Sequence, residues 1–389
     1  MKVLFVIPQP FFRERGSPIR ALHQLRELCG LGHPVDVLCF PFGTDLSVPG
    51  MRIVRIKSLP GISDVPVGFS LPKLLLDVRL FFKAWSMCRR NRYDLIQAVE
   101  EAAFFCPWLK RLFRCRFVYN MDSLISDQLR YTRKLTFRPL LKLAERLERH
   151  TARNADCVVT VGPALTDVVH GWAPGVEVLQ LEDSPMDEEF AEDREGAGEL
   201  RARLGLGDRP VVVYTGNFIS YQGVELLVRA AGAVAAVRQD VRIVMAGGTP
   251  TEVEEMRRLA QEVGANGTCV FAGSRPTAEM PAFLTLASVL VSPRTGGTNP
   301  PLKLYAYMQS GRPLVVTRLR THTQALDETC AILADPTPEA FGRGILQALE
   351  DPVASAELAH RAADRLKKLY GLDVFRAKVR GSYQKLAAT

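Results

Sequence analysis

The sequence of 389 residues lacks the patterns that mark several specialised protein classes. No run approaches the ~18 apolar residues that a membrane-spanning helix needs. No Cys-x-x-Cys pair occurs, which argues against a structural zinc site and a disulfide framework. The cysteines stand singly, as small core residues of a reducing cytoplasm do, at Cys29, Cys39, Cys88, Cys106, Cys115, Cys157, Cys269 and Cys330. No Asp lies two residues after another Asp, so no Asp-x-Asp metal motif is present, and no His/Cys cluster replaces it.

The amino-terminal segment MKVLFVIPQPFF lacks the features of a signal peptide. It has one Lys, five apolar residues before Pro8 and no small-residue cleavage site. We expect a first buried strand here.

Apolar residues make up 47% and charged residues 24% of the chain, which is ordinary globular usage, and the length predicts two or three domains.

Positive charge is concentrated in the first half of the chain. Residues 1–180 hold 26 Lys and Arg against 16 Asp and Glu, whereas residues 181–389 hold 24 against 26. The first half is therefore expected to face something anionic, and the alternatives are an acidic membrane surface, nucleic acid or solvent alone. No nucleic-acid-binding module accompanies the charge, so we expect no nucleic-acid partner.

Short apolar runs alternate with segments of helical periodicity, which predicts parallel sheets covered by helices on both faces. The predicted strands are 3–7, 35–40, 94–99, 117–119, 157–161, 211–215, 241–246, 289–292 and 314–317, and the clearest helices are 19–31, 224–237, 252–263 and 340–349. The alternation weakens between Gly175 and Gly207. We predict an α/β protein with two doubly wound domains, 1–180 and 181–370, a final helix within 371–389, and a ligand cleft at the carboxyl ends of the strands.

The densest chemical signal is the segment 292–313. A strand ends at Ser292, a glycine-bearing loop follows, and a helix is predicted to start near Asn299 or Pro300. Free amides at a helix start, together with Arg294 and Lys303, would bind a diphosphate. The alternative is an ordinary strand-to-helix turn with two surface cations.

Two further loops are candidates for a binding site. Gly216 and Asn217 follow the strand 211–215, and Gln222 precedes the next helix, although glycine after a strand is common in any α/β protein. In the segment Gly16-Ser-Pro-Ile-Arg20, Ser17 is predicted to cap a helix with Pro18 at its first position, and the segment either faces the cleft or only caps the helix.

These three segments, in this order and spacing, resemble glycosyltransferase family 4, the retaining nucleotide-sugar enzymes with the GT-B fold. Tyr93-Asp-Leu-Ile-Gln-Ala is similar to the strand before the acceptor-side loop of that family, and Val178-Leu-Gln-Leu-Glu-Asp is similar to its interdomain linker. The resemblance implies that the first domain binds the acceptor, the second binds the donor, and the last helix crosses back to the first domain.

The chain departs from the family pattern at several site positions. Gly216-Asn217 and Gln222-Gly223 stand where the family has Gly-Arg and Lys-Gly. Thr298 and Ala306 occupy the positions of its paired glutamates, and Met121 that of a histidine. A branch of the family resembles this chain in having Tyr-Gln-Gly, an Arg after the strand and Asn-x-Pro-Leu-Lys.

The resemblance implies a metal-independent hexosyltransferase that takes a sugar from a UDP- or GDP-sugar, with no other cofactor. Its acceptor would be a hydroxyl, for instance of a lipid-linked or polysaccharide intermediate. The implied catalytic residues are Arg294, Lys303 and Asp122, the donor-binding residues are Gly216, Asn217, Gln222, Gly297, Thr298 and Asn299, and the acceptor-side loop contributes Gly16, Ser17 and Arg20. Asp122 either bonds a sugar or acceptor hydroxyl or caps the helix after it. The alternative functions are a catalytically silent GT-B scaffold, which the missing charged residues favour, and a sugar-nucleotide epimerase.

The segment 70–92 is predicted to form a helix with a broad apolar arc. Cations border this arc, and the basic stretch continues through Arg130, Arg133, Lys134, Arg138 and Lys142. The pattern fits a membrane surface, on the inner face of a cytoplasmic membrane, and equally a helix buried in its domain.

Overall fold

The computed structural model describes residues 1–12, 16–62, 65, 70–131, 138–185 and 189–388. Arg133 and Lys134 of the predicted basic stretch lie outside these residues. The chain divides into two compact units, the first made of 1–183 and 373–389 and the second of 184–372. The predicted boundaries, 180/181 and 370/371, differ from these by two or three residues.

The first unit is a seven-stranded parallel sheet in the order β3-β2-β1-β4-β5-β6-β7. Its strands are β1 (Val3–Ile7), β2 (Val35–Cys39), β3 (Met51–Arg55), β4 (Leu95–Val99), β5 (Arg116–Met121), β6 (Cys157–Thr160) and β7 (Glu177–Gln180). Its helices are α1 (Gly16–Gly30), α2 (Leu71–Arg90), α3 (Cys106–Phe113), α4 (Ile125–Tyr131), α5 (Arg138–Asn154) and α6 (Pro163–Trp172), with a 3-10 segment at Glu100–Phe105. The central strands are buried on both sides because helices cover both faces of the sheet.

The second unit is a six-stranded parallel sheet in the order β10-β9-β8-β11-β12-β13. Its strands are β8 (Val211–Thr215), β9 (Arg242–Ala246), β10 (Cys269–Gly273), β11 (Val289–Ser292), β12 (Leu314–Thr317) and β13 (Ile332–Ala334). Its helices are α7 (Arg194–Arg203), α8 (Val224–Val237), α9 (Pro250–Glu262), α10 (Met280–Leu286), α11 (Lys303–Gln309), α12 (Arg320–Thr323), α13 (Pro338–Glu350) and α14 (Pro352–Tyr370), with 3-10 turns at Ser220–Gln222 and Thr277–Glu279. A separate apolar core fills each side of this sheet.

The last helix, α15 (Leu372–Ala388), packs on the first unit. The ring of Phe375 meets His23 edge to face at 5.7 Å, and the hydroxyl of Tyr383 donates to Gln97 of β4. At the surface, Arg380 pairs with Glu27 of α1 at 2.7 Å. The two parallel sheets confirm the predicted fold class.

The structure corrects the predicted starts of two helices. The helix after β11 begins at Lys303, not near Asn299, because Asn299 and Pro300 each precede a proline and are therefore driven away from helical backbone angles. The resulting helix has seven residues, and the binding of a diphosphate at its start stays a prediction. The helix α1 begins at Gly16, which puts Ser17 and Pro18 inside its first turn and leaves Ser17 without the predicted capping position.

Candidate functional site

In the second unit, the side chain of Lys303 turns back over the end of β8. Its Nζ atom lies 3.8 Å from the ring centroid of Tyr214, is buried, and has no hydrogen-bond partner among the described residues. Burial, and then the charge of Arg294, lower the pKa of Lys303 well below its ordinary value. The structure therefore holds a buried, unpaired amine beside the first strand of this unit.

Gly216 makes room for this amine. Its φ of +139° is rare for residues with a side chain, and a Cβ atom there would lie 2.7 Å from Nζ of Lys303. The hydroxyl of Tyr214 donates to the carbonyl oxygen of Asn217 at 2.7 Å, which fixes the exposed turn after Gly216. The predicted pair of Gly216 and Lys303, 87 positions apart in the sequence, thus meets at one place.

Arg294 holds the loop that precedes α11. It is buried, and its Nη1 donates to the carbonyl oxygen of Asn299 at 2.6 Å and to the hydroxyl of Thr321 at 2.8 Å. Its guanidinium also lies 5.1 Å from the ring centroid of Tyr221. The structure therefore gives Arg294 a role in positioning the loop, and its predicted contact with a diphosphate stays a prediction.

The remaining predicted donor residues lie in the same two loops. Gly297 has a φ of +95°, and the carbonyl oxygen of Thr298 accepts from Gln324 at 3.0 Å. The side chain of Gln222 is buried, and its Oε1 has no hydrogen-bond partner among the described residues. Gly223 after it has a φ of +75°, and its missing Cβ allows the carbonyl of Pro293 to approach.

A buried histidine that the sequence analysis did not select ties these loops to the sheet. Nε2 of His322 lies 2.8 Å from Oγ of Ser292, and its Nδ1 lies 2.9 Å from the carbonyl oxygen of Thr317. Burial, and then Arg294, lower the pKa of His322 to about 3. It is therefore a neutral hydrogen-bonding group at the carboxyl ends of β11 and β12.

In the first unit, Arg20 joins two carboxylates. Its Nε and Nη2 each lie 2.5 Å from an oxygen of Asp183, and its Nη1 lies 2.8 Å from Oδ1 of Asp122. All three side chains are buried. Burial alone would lower the pKa of Arg20, but the two carboxylates raise it above its ordinary value, so its charge is secure. The structure thus brings together two predicted residues, Arg20 and Asp122, and adds Asp183.

Asp122 does not cap helix α4, which was its alternative role. The amides of Ile125 and Ser126 at the start of α4 donate to Oε1 of Glu148, at 2.6 and 3.3 Å. Asp122 instead faces Arg20 of α1, whose first residue is the predicted Gly16. The end of β5 and the start of α1 therefore form one polar site.

Glu100 lies directly after β4, at the same sheet edge as Asp122. Its backbone has a φ of +48°, which is strained for a residue with a side chain, and its carboxylate accepts from Ser123 at 2.7 Å and from Gln9 at 3.2 Å. Burial, and then Glu101, raise the pKa of Glu100 to about 7. Glu100 could have been selected from the sequence, because it directly follows a parallel strand as Asp122 does.

Two family models match the chain, one in each unit. Residues 15–182 match the model described as a glycosyl transferase 4-like domain, and residues 209–351 match the model described as glycosyl transferases group 1. Together the two matches cover most of the chain.

Within the described residues, no helix has the length and apolar character to cross a bilayer.

Similar proteins of known function match with low identity. A GDP-mannose-dependent alpha-(1-6)-phosphatidylinositol monomannoside mannosyltransferase of Mycolicibacterium smegmatis is 29% identical over 162 residues, 41% of this chain and 42% of that protein. An alpha-D-kanosaminyltransferase of Streptomyces kanamyceticus is 26% identical over 250 residues, 63% of this chain and 64% of that protein. The chain thus aligns with less than two thirds of the length of these relatives.

Solved structures match over the whole chain. Sucrose-phosphate synthase from Thermosynechococcus elongatus superposes with a TM-score of 0.80 at 20% identity, with full coverage of both chains. Anabaena HepE in complex with UDP-glucose superposes with a TM-score of 0.75 at 16% identity, over 99% of this chain and all of that one. At these identities the likeness shows the fold alone.

Proposed function

We infer that this chain, which belongs to the group 1 glycosyltransferases and has a family 4-like amino-terminal domain, transfers a sugar from a nucleoside diphosphate to an acceptor hydroxyl. The reaction proposed is a hexosyl transfer with retention of configuration at the sugar. The relatives named above, a GDP-mannose-dependent mannosyltransferase among them, and the UDP-glucose complex of a structural neighbour support a UDP- or GDP-sugar as the donor.

The observation that carries the proposal is the unpaired amine of Lys303. A buried polar group without a partner is costly, and such groups in native structures call for an explanation. A diphosphate oxygen at this place would pair with the amine, restore its charge and use the space that Gly216 leaves open. Departure of a diphosphate develops negative charge, and a fixed cation there stabilises the transition state.

For the first unit we propose the acceptor side of the reaction. In a retaining transfer on one face of the sugar, an oxygen of the leaving phosphate takes the proton of the acceptor hydroxyl, so no enzyme carboxylate has to act as the base. The task left to the protein is orientation. The ion pair with Arg20 fixes the direction of Asp122, and Glu100, with a pKa raised to about 7, is suited to exchange hydrogen bonds with a hydroxyl.

We propose that the reaction needs no metal ion and no further cofactor. Within the described part of the chain, no three His, Cys, Asp or Glu side chains are grouped as a metal site would require. In this proposal the neutralising charge comes from Lys303, while Arg294 keeps the loop beneath the donor in place.

The acceptor proposed is a lipid-linked or polysaccharide intermediate, and the proposed location is the cytoplasm and the inner face of its membrane. The basic first half of the chain supports an anionic membrane surface as a partner. One of the relatives acts on a phosphatidylinositol monomannoside, which supports a lipid acceptor.

The deciding experiment is a donor panel. The protein is incubated with UDP- and GDP-sugars, and nucleotide release is followed with and without lipid and sugar acceptors. Turnover of one donor with formation of an α-linked product from an α-configured donor supports the proposal. Binding of nucleotide without turnover would instead indicate a scaffold, and interconversion of donor sugars without release would indicate an epimerase.

A further inference from the structure

Helix α2 of the first unit has two apolar sides, of which only one is covered. Leu76, Leu80, Ala84, Met87 and Cys88 are buried against the sheet. On the opposite side, the spacing i, i+3, i+4, i+7 and i+11 aligns five large apolar residues, all exposed: Leu71, Leu74, Leu75, Val78 and Phe82. A helix that only served the core of its domain would carry polar residues on that side.

Helix α3 extends this exposed surface. Trp108 and Leu112 lie one turn apart on it, and both are about half exposed. The ring of Phe81 on α2 lies 5.6 Å from that of Trp108 and 5.2 Å from that of Phe82, so the two helices are joined by aromatic contacts. We call these seven exposed residues of α2 and α3 the α2–α3 apolar face. They are seven of the twelve large apolar side chains that are exposed in the described part of the chain.

The helices that carry the α2–α3 apolar face are rich in exposed cations and nearly free of acids. The exposed cations on or next to the two helices are Arg79, Lys83, Arg89, Arg90, Arg111 and Arg114. None of the six takes part in an ion pair that the structure describes. The single acid of the two helices is Asp77, whose carboxylate lies beside Lys73 and Glu101 with its Oδ1 buried.

We propose that the α2–α3 apolar face inserts into the headgroup region of a membrane rich in anionic lipid. Apolar side chains with Trp and Phe enter the interface between headgroups and acyl chains, while bordering Lys and Arg meet the lipid phosphates. A second copy of this chain fits the face poorly, because pairing it with itself would oppose six cations with six like charges. This proposal rests on the proposed function, because a transferase with a lipid-linked acceptor has to bind a membrane.

The placement of α2 links the membrane to the acceptor side. Lys73, in the first turn of α2, forms an ion pair with Glu101, and Glu101 follows the strained Glu100 at the end of β4. Insertion of the α2–α3 apolar face would therefore bring this edge of the first unit's sheet toward the headgroups. A lipid-linked acceptor would then approach from the membrane the sheet edge at which Glu100 and Asp122 lie.

The test is co-sedimentation of the full chain with vesicles of phosphatidylcholine, with or without phosphatidylglycerol. Binding is expected only to the anionic vesicles, and it should fall as salt is added. The double variant Lys83→Gln/Arg90→Gln should bind about 25-fold more weakly, at about fivefold for each cation. Lys367→Gln/Lys368→Gln on α14, with the same loss of charge from exposed positions, should bind as the wild type does.

A second pair of variants tests the apolar part. Leu75→Ser/Phe82→Ser should weaken binding by about tenfold or more. Val237→Ser/Val353→Ser serves as the matched control, since these two side chains are 65% and 71% exposed in the second unit. Unfolding temperatures of all variants near that of the wild type would exclude loss of fold as the cause.

Several results would overturn the proposal. Equal binding to neutral and anionic vesicles would show that the cations do not bind lipid phosphates. Wild-type binding by Leu75→Ser/Phe82→Ser would show that the α2–α3 apolar face does not insert. A dimer in solution that this variant dissociates would make a second copy the occupant. No binding to either vesicle would leave an acidic protein as the occupant. Calorimetric binding of UDP and GDP, measured without vesicles, tests the proposed function separately and should be the same in all these variants.

Discussion

Replacement of Lys303 by methionine removes the buried amine and keeps the length of the side chain. In the free protein, Nζ of Lys303 has no hydrogen-bond partner among the described residues. A buried polar group left unpaired costs about 1–3 kcal/mol, so Lys303→Met should raise the free energy of unfolding by about that amount. Thermal and urea unfolding measure it, and Lys367→Met, at an exposed position on α14, is the control.

The same substitution should weaken nucleotide binding. Hydrogen bonds to charged groups contribute about 1.5–3 kcal/mol, which corresponds to an affinity about 10- to 150-fold lower for UDP or GDP. Titration calorimetry measures this loss. The signature of a residue that binds an anion is therefore a variant that is more stable and binds less well.

Proton uptake gives a third readout of Lys303. Burial, and then Arg294, lower the pKa of its amine, and a bound diphosphate would raise it again. Binding should then take up as much as about one proton per site, in amounts that depend on pH. Calorimetry in two buffers with different ionisation enthalpies measures the uptake, which Lys303→Met should abolish. Wild-type affinity together with unchanged proton uptake in this variant would refute the assignment of the diphosphate to Lys303.

Three further predictions follow from the geometry. Gly216→Ala should lower the free energy of unfolding by about 1–3 kcal/mol and weaken nucleotide binding, because its φ is +139° and the new Cβ would meet the amine of Lys303. The control is Gly198→Ala in α7, where a Cβ meets nothing within 4 Å, and it should raise the free energy of unfolding by about 0.5–1 kcal/mol. His322, with its pKa lowered to about 3, stays neutral in the folded protein but gains a proton on unfolding, so the free energy of unfolding should fall by up to about 1.4 kcal/mol per pH unit as pH drops from about 6.5 toward 3. Urea unfolding at several pH values should show that His322→Gln removes this contribution, and the same pH dependence in the variant and the wild type would contradict the prediction. Turnover should survive excess EDTA and gain little from Mg²⁺ or Mn²⁺, and activity abolished by EDTA and restored by Mn²⁺ would show that a metal neutralises the diphosphate.

The central strands could be predicted from sequence, and the edge strands could not. Strands such as β1 and β8 are buried on both sides and read as continuous apolar runs. The four strands that the sequence analysis did not predict, β3, β7, β10 and β13, are the edges of the two sheets. An edge strand is partly exposed, so its apolar pattern is short and mixed, as in Met-Arg-Ile-Val-Arg of β3.

The site was predictable where chemistry follows a strand, and not where it depends on contacts distant in sequence. Lys303 and Gly216 were selected separately, but only the fold shows the amine lying over Tyr214. Likewise Asp183 looked like part of a linker, and its pairing with Arg20 spans 163 positions. The start of α11 was predicted too early because proline was taken as a residue of the first helical turn, whereas Asn299 and Pro300 each precede a proline and stay outside the helix.

The sequence also left open which side of α2 is covered. Both sides are apolar, so its periodicity fits a membrane surface and a buried helix equally well. Leu80 is buried and Phe82, two residues away, is exposed, so one side of α2 belongs to the core of its domain and the other does not.

The position of α15 in the first unit affects the order in which the chain can fold during synthesis. Residues 1–183 leave the ribosome first, but the unit they form also needs residues 373–389, which come after the whole second unit. Until then α1 lacks the ring of Phe375 that packs on His23, and Gln97 of β4 lacks the hydrogen bond that it accepts from Tyr383 in the finished protein. The second unit, being continuous, has all its residues before the first does. The amino-terminal half is therefore the last to be completed.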